Sequence, residues 1–190
     1  MADKLSPFEE ALEMLLEIEG GFVDDPEDCG GATCMGVTQR VYDAYRKTCG
    51  LEFRSVSEID EAEACQIYLD EYWRPARCHE LSSISVPVAQ EVFEVSVHCG
   101  VHLGGALLQQ ACNCLRLPDS GLLTVDGVCG PITRSAVARL CVDHELALFT
   151  AQNGEQYKFY CLLQERNPKD SKFMRGWMKR VAFRGGDRNA

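Results

Sequence analysis

Apolar side chains at Phe8, Leu12, Leu15 and Leu16 repeat with a 3.6-residue period, which predicts a helix near the start of the chain. Ser6 suits the N-cap, Pro7 the first helical position, and Glu9 stands three residues after Ser6, as a capping box requires. The pattern stops at Glu19, followed by Gly20-Gly21, the usual chemistry of a helix end. Residues 20–38 are rich in glycine and aspartate and lack helical periodicity. Short extended pieces, forming a small hairpin, are expected around Gly30-Gly31 and from Met35 to Thr38.

After Thr38 a helix resumes with Val41, Tyr42 and Tyr45 on one side. Another is expected over residues 60–73, with Asp60 and Glu63 at its cap and first turn and Ala64, Ile67, Tyr68 and Tyr72 on its inner face. Pro75 and residues 82–87 read as a connector. Residues 88–99 and 103–115 are rich enough in Val, Leu and Ala to be core helices. A loop over 118–130 precedes helices at 131–140, 145–165 and 171–181. The expected fold class is mainly α, a helical globule with a short loop or β-hairpin segment after the first helix.

Composition narrows the picture. A chain of 190 residues suffices for one compact domain or for two modules sharing a core. No apolar run approaches the roughly 18–20 residues that span a bilayer, so no stable membrane insertion is expected. The first residues, Met1 to Pro7, lack an apolar signal region, so the expectation is synthesis in the cytoplasm without a signal peptide. Eleven cysteines, an odd number, argue against a closed disulfide framework. Cys65, Cys112, Cys141 and Cys161 lie in apolar runs and read as small buried hydrophobes. The spacings Cys29-x4-Cys34 and Cys112-x-Cys114 form no paired zinc framework, and His98 and His102 are separated by a helix-weakening glycine; no metal is expected.

The net charge of −10 is uneven: residues 166–188 hold eight basic and two acidic side chains. A solvated helix face explains this end better than nucleic-acid binding, which the acidic remainder would oppose. Asp126-Gly127 has the chemistry of a tight turn, and Trp73 and Trp177 suit core positions better than sugar stacking.

Glu19 is the candidate for acid chemistry. Hydrolysis of a glycosidic bond needs a carboxylic acid to protonate the leaving oxygen, and a helix C-terminal dipole raises the pKa of such a group. The adjoining glycines leave backbone room for a sugar ring, and the following loop supplies Asp24, Asp25, Asp28 and Thr33.

The stretch from Glu19 to Thr38 (EGGFVDDPEDCGGATCMGVT) resembles the signature of glycoside hydrolase family 108, N-acetylmuramidases of phage and prophage lysis cassettes and of some protein-release systems. Tyr72-Trp73 resembles a conserved pair at the end of the family's second helix. The segment from Val92 to Gly100 is similar to another, with Glu94 and His98 where the family usually has Asp and Asn. Leu108 to Ala111 and Val125 to Thr133 resemble the family's C-terminal module, and Phe173 to Val181 its closing Gly-Trp-Leu-x-Arg-Val.

The resemblance implies a lysozyme-like α+β fold, with a muramidase part at residues 1–84 and a peptidoglycan-binding helical module at 85–190 packed into one globule. It implies cleavage of the β-1,4 bond between N-acetylmuramic acid and N-acetylglucosamine, without cofactor, with Glu19 as the general acid. The wider phage-lysozyme pattern of Glu, Asp nine positions on, then Thr gives Asp28 and Thr33 as the groups that orient water, with Thr33 one position closer than in those lysozymes. Asp24, Asp25 and Asp28 all remain candidates for the second carboxylate. Asp24, Asp25, Gly31, Gly36, Tyr72, Glu94 and His98 are implied as substrate-binding positions. The implied partner is bacterial peptidoglycan, reached at the cell wall through a holin or another export route. The rival reading is a non-catalytic peptidoglycan-binding protein on the same fold.

Overall fold

The structure, a computed structural model, describes residues 5–19 and 33–181. It is mainly helical with one small antiparallel hairpin, as the hydrophobic pattern predicts. The chain divides into two compact units, Met1–Tyr72 and Trp73–Ala190.

In the first unit, helix α1 (Pro7–Glu19) begins with the expected capping box. The Ser6 amide donates to Glu9 Oε2 at 2.7 Å and the Glu9 amide to Ser6 Oγ at 3.3 Å; the Ser6 amide, with the Ser6 hydroxyl adding to it, holds the Glu9 carboxyl below its ordinary pKa. Strands β1 (Thr33–Cys34) and β2 (Val37–Thr38) form the hairpin, with Thr33 opposite Thr38 and Cys34 opposite Val37. Thr38 Oγ1 accepts from the Val41 amide and so starts helix α2 (Gln39–Thr48). A 3-10 turn at Val56–Glu58 leads to helix α3 (Glu61–Tyr68), capped by Asp60, whose Oδ1 accepts from the Glu63 amide at 2.8 Å. The helix expected over 60–73 is not uniform: its last part, Leu69–Trp73, widens into a π-helical turn. Ala11, Leu12, Leu15, Val37, Tyr42, Val56, Ile67 and Tyr68 are buried; a fully buried Leu or Ile here contributes about 2 kcal/mol.

The second unit contains α4 (Cys78–Ser82), α5 (Val86–Cys99), α6 (Val101–Cys114), α7 (Pro131–Arg166) and α8 (Met174–Arg180), with a 3-10 turn at Pro168–Lys172 before α8. Helix α4 falls between Pro75 and the connector expected at 82–87, where the sequence suggested no element; five residues are too few for a periodic pattern to register. Helices α5 and α6 start two residues earlier than expected, because Pro87 fits the first turn of α5 and a single glycine joins the pair. That residue, Gly100, has φ 96° and ψ 149°, a conformation open in practice only to glycine. It also separates His98 from His102 onto different helices.

The helices expected at 131–140 and 145–165 are one run, α7, kinked at His144, where φ is −133°. The last expected helix splits into the 3-10 turn and α8. Trp73 is buried edge-on against Phe93, a core role. Of the four cysteines expected inside, only Cys112 is fully buried; Cys78 and Cys129 are the other buried thiols among the described residues. Among the described residues, no helix is long and apolar enough to cross a membrane.

Candidate active site

Helix α1 is described as far as Glu19, and the glycines that follow it lie outside the described residues. The last turn of α1 contains no basic residue, and Glu17 precedes Glu19 there. Asp24, Asp25, Asp28 and Gly31 lie outside the described residues.

Thr33 and Gly36 are brought together by the hairpin. Its two central residues, Met35 (φ 49°) and Gly36 (φ 72°), both have positive φ, the demand of a two-residue hairpin loop whose twist matches its strands. Gly36 meets that demand without strain; Met35 does so at a cost and is tied down. The hydroxyl of Tyr68, itself 1% exposed, donates to the Met35 carbonyl at 2.8 Å across 33 residues of sequence. Thr33 is thus held between this anchor at the tip and the Thr38 cap at the base. Leu16, one turn before Glu19, and Met35 line one apolar groove of about 360 Å³ with Leu12, Ala64, Cys65 and Tyr68, a volume in the range of ligand sites. Glu9, Glu13 and Glu61 give it carboxylates. Tyr72 is half-buried, its ring centroid 5.9 Å from that of Tyr68.

An ion network that sequence reasoning missed fixes α2 to α3. Glu63 Oε1 accepts from Arg46 Nη1 at 2.7 Å, and Oε2 accepts from Tyr42 Oη at 2.7 Å and from Arg54 Nη2. Tyr42 is fully buried, and its hydroxyl also accepts from Arg46 at 3.0 Å and from Arg54 at 2.6 Å. Each member is therefore paired, which a buried charge requires. The partners of Glu63 are 9 to 21 residues from it in sequence, so no local pattern signals them.

Glu94 and His98 belong to the second unit, one turn apart on α5. Glu94 Oε1 accepts from Arg180 Nη1 at 2.9 Å, and Oε2 accepts from Gln156 Nε2 at 2.7 Å. The same Gln156 nitrogen reaches the Tyr160 oxygen at 3.3 Å, which leaves the Tyr160 proton for His98 Nδ1, 2.8 Å away. Trp177 stacks on Tyr160 with centroids 5.1 Å apart, and Phe173 stacks on Trp177. The basic chain end is therefore not only a solvated face: the Arg180 side chain is 11% exposed and closes this cluster.

Burial, with Arg180 adding to it, pushes the His98 imidazole down to about 4, and burial pushes the Cys99 thiol, 3.2 Å from Nδ1, up to about 11. A neutral thiol beside a neutral imidazole is not an activated nucleophile. Among the described residues, no group of three or more His, Cys, Asp or Glu is placed to hold a metal ion.

The Asp126-Gly127 segment forms the turn its chemistry suggests. Asp126 Oδ1 accepts from the Val128 amide at 2.9 Å, and Gly127 has φ 71°. The side chain of Gln109, 2% exposed, reaches into this turn. Its Nε2 donates to Asp126 Oδ1 at 2.7 Å and to the Val128 carbonyl and Thr133 Oγ1 at 3.1 Å; its Oε1 accepts from the Gly127 amide at 2.9 Å.

Comparison with known proteins gives the class. Residues 12–100 match the family model of glycosyl hydrolase 108, and residues 105–182 match that of a predicted peptidoglycan domain. The chain thus carries a glycosyl hydrolase 108 segment followed by a predicted peptidoglycan domain, a make-up that supports a glycoside hydrolase acting on peptidoglycan. Among solved structures it is similar to that of Brucella abortus SagA, at 25% identity and a TM-score of 0.67, over 92% of this chain and 88% of that one. A comparison with curated proteins returned no match.

Proposed function

We propose that the chain is an N-acetylmuramidase that hydrolyses the β-1,4 bond between N-acetylmuramic acid and N-acetylglucosamine, with Glu19 as general acid. The observation that carries this reading is the position of Glu19 at the C-terminal residue of α1, inside the glycosyl hydrolase match, with the Thr33 hairpin next in the described chain. The negative pole of a helix favours the protonated form of a carboxyl group, the form that donates to the leaving oxygen. Thr33, braced by Tyr68 and Thr38, and one of Asp24, Asp25 and Asp28 then orient the attacking water. Gly36 and Tyr72 contribute to the sugar contacts from the same unit.

The test is the Glu19→Gln variant on purified peptidoglycan, followed by borohydride reduction of the products. The expected result is loss of lysis by about 100-fold or more, the size of a lost general acid. In the wild type the new reducing ends should be muramic acid. Full lysis by the variant would remove Glu19 from the mechanism, and glucosamine at the reducing end would overturn the bond assignment.

A further inference from the structure

The predicted peptidoglycan match gives the second unit a wall polymer to bind but does not say where. A cleft of about 390 Å³ lies between the loop at residues 119–123 and the first turns of α7. Ser120, Leu123, Ile132, Ser135 and Arg139 line it, and Asp119 adds one carboxylate. Arg139 also lines a smaller recess that shares Ser120, Gly121, Leu123 and Ala136 with the cleft and that adds Arg116.

Three features distinguish this cleft from an ordinary surface depression. Its loop wall lacks regular secondary structure yet is fixed: Asn113 Nδ2 donates to the Leu123 carbonyl at 2.9 Å, and the Leu123 amide donates to Asn113 Oδ1 at 2.7 Å. The Gln109 bonds secure the same loop further along. Such a wall loses little freedom when a ligand binds. Second, among the described residues neither Arg116 nor Arg139 has an ion-pair or hydrogen-bond partner, although the chain as a whole is strongly acidic. Two unpaired guanidinium groups around one recess offer fork-shaped donors to carboxylates. Third, Ile132 is 77% exposed at the start of α7, an apolar surface beside the charged one.

We propose that this cleft binds the stem peptide of peptidoglycan, with Arg116 and Arg139 holding its carboxylates, Asp119 facing its free amine where the diamino acid carries one, and Ile132 against its alanine methyl groups. The glycan strand alone offers fewer charges and no amine, so the peptide matches this mixture of groups better. The assignment rests on peptidoglycan as the partner of the chain. It is independent of which residue is the acid.

The test is cosedimentation in the cold of the full chain with intact sacculi and with glycan stripped of its peptides by an amidase. Cosedimentation reads retention without turnover, so its outcome stands apart from the role of Glu19. The R116Q/R139Q double variant should lose about tenfold or more in affinity for intact sacculi, the size of one lost charge-assisted bond or more. The wild type should bind stripped glycan correspondingly less well. Lys158→Gln, an exposed charge outside the cleft, should retain full affinity. Both arginines are exposed, so the melting temperature of the double variant should match the wild type. Unchanged retention of the double variant overturns the proposal. So does equal wild-type affinity for the two polymers, or an equal loss with Lys158→Gln.

Discussion

Replacing His98 by Asn, the residue that family members usually carry there, should flatten the pH dependence of stability on the acid side. The buried imidazole is held at about 4, against 6.5 for the free side chain, by burial and by the Arg180 charge. Between those values the unfolded chain binds a proton that the folded chain refuses. Stability from neutral His98 is therefore complete above pH 6.5 and declines as the pH falls towards 4. A difference of 2.5 units corresponds to about 3 kcal/mol. At pH 7 the variant should be the less stable, by about 1–2 kcal/mol, because it gives up the edge-on contacts of the imidazole with Tyr160 and Trp177. Asn can still accept from the Tyr160 hydroxyl, so the bond need not be lost. On acidification the two stabilities should converge and then cross. The assay is urea unfolding followed by circular dichroism at half-unit steps from pH 7 to 4, read as the difference between the two chains so that the carboxylates common to both cancel. Stability curves that stay parallel over this range would refute the argument, since they would mean that His98 titrates alike folded and unfolded.

Gly105→Ala should lower the melting temperature by several degrees, from an overpacking cost of about 2–3 kcal/mol. A Cβ there would lie 2.1 Å from the Gly127 carbonyl oxygen, backbone that cannot swing aside, and an unchanged melting curve would show that the loop yields freely. Glu63→Gln should cost about 3 kcal/mol in urea unfolding, because it leaves Arg46, only 10% exposed, without its counter-charge. A loss below about 1 kcal/mol would mean that the Tyr42 hydroxyl and the backbone carbonyl of Glu52 suffice for both arginines.

What could be read ahead of the structure follows the range of the interaction. The capping box at Ser6 and Glu9, the Asp60 cap and the Asp126-Gly127 turn are all encoded within four residues, and all were legible. The hairpin was legible as a place but not as a register, which depends on the Tyr68 hydroxyl that ties down Met35. The kink at His144 showed in the sequence as a gap between two apolar patterns, because a helix can bend without losing its run. The π-helical turn was hidden, since five residues cannot distinguish its spacing from 3.6. In the site, Glu94 and Arg180 were each marked by resemblance. That they meet across 86 residues is tertiary and left no local trace. The Glu63 network left none either, and Arg116 and Arg139 emerged only once their lack of partners could be seen.

The single-residue joint at Gly100 bears on how this protein can be cut or recombined. The glycosyl hydrolase match ends at that residue, and the predicted peptidoglycan match begins five positions later, at residue 105. A boundary drawn there would pass through the α5–α6 hairpin, where Gly104 sits so close to α5 that a Cβ would lie 2.3 Å from Ser96 Oγ. Both helices belong to one compact unit that starts at Trp73. The family boundary therefore does not coincide with the boundary between the compact units. A chimera spliced at residue 100 would strand α5 without the surface that buries it, whereas a graft that carries α5 with its partner would keep the hairpin whole.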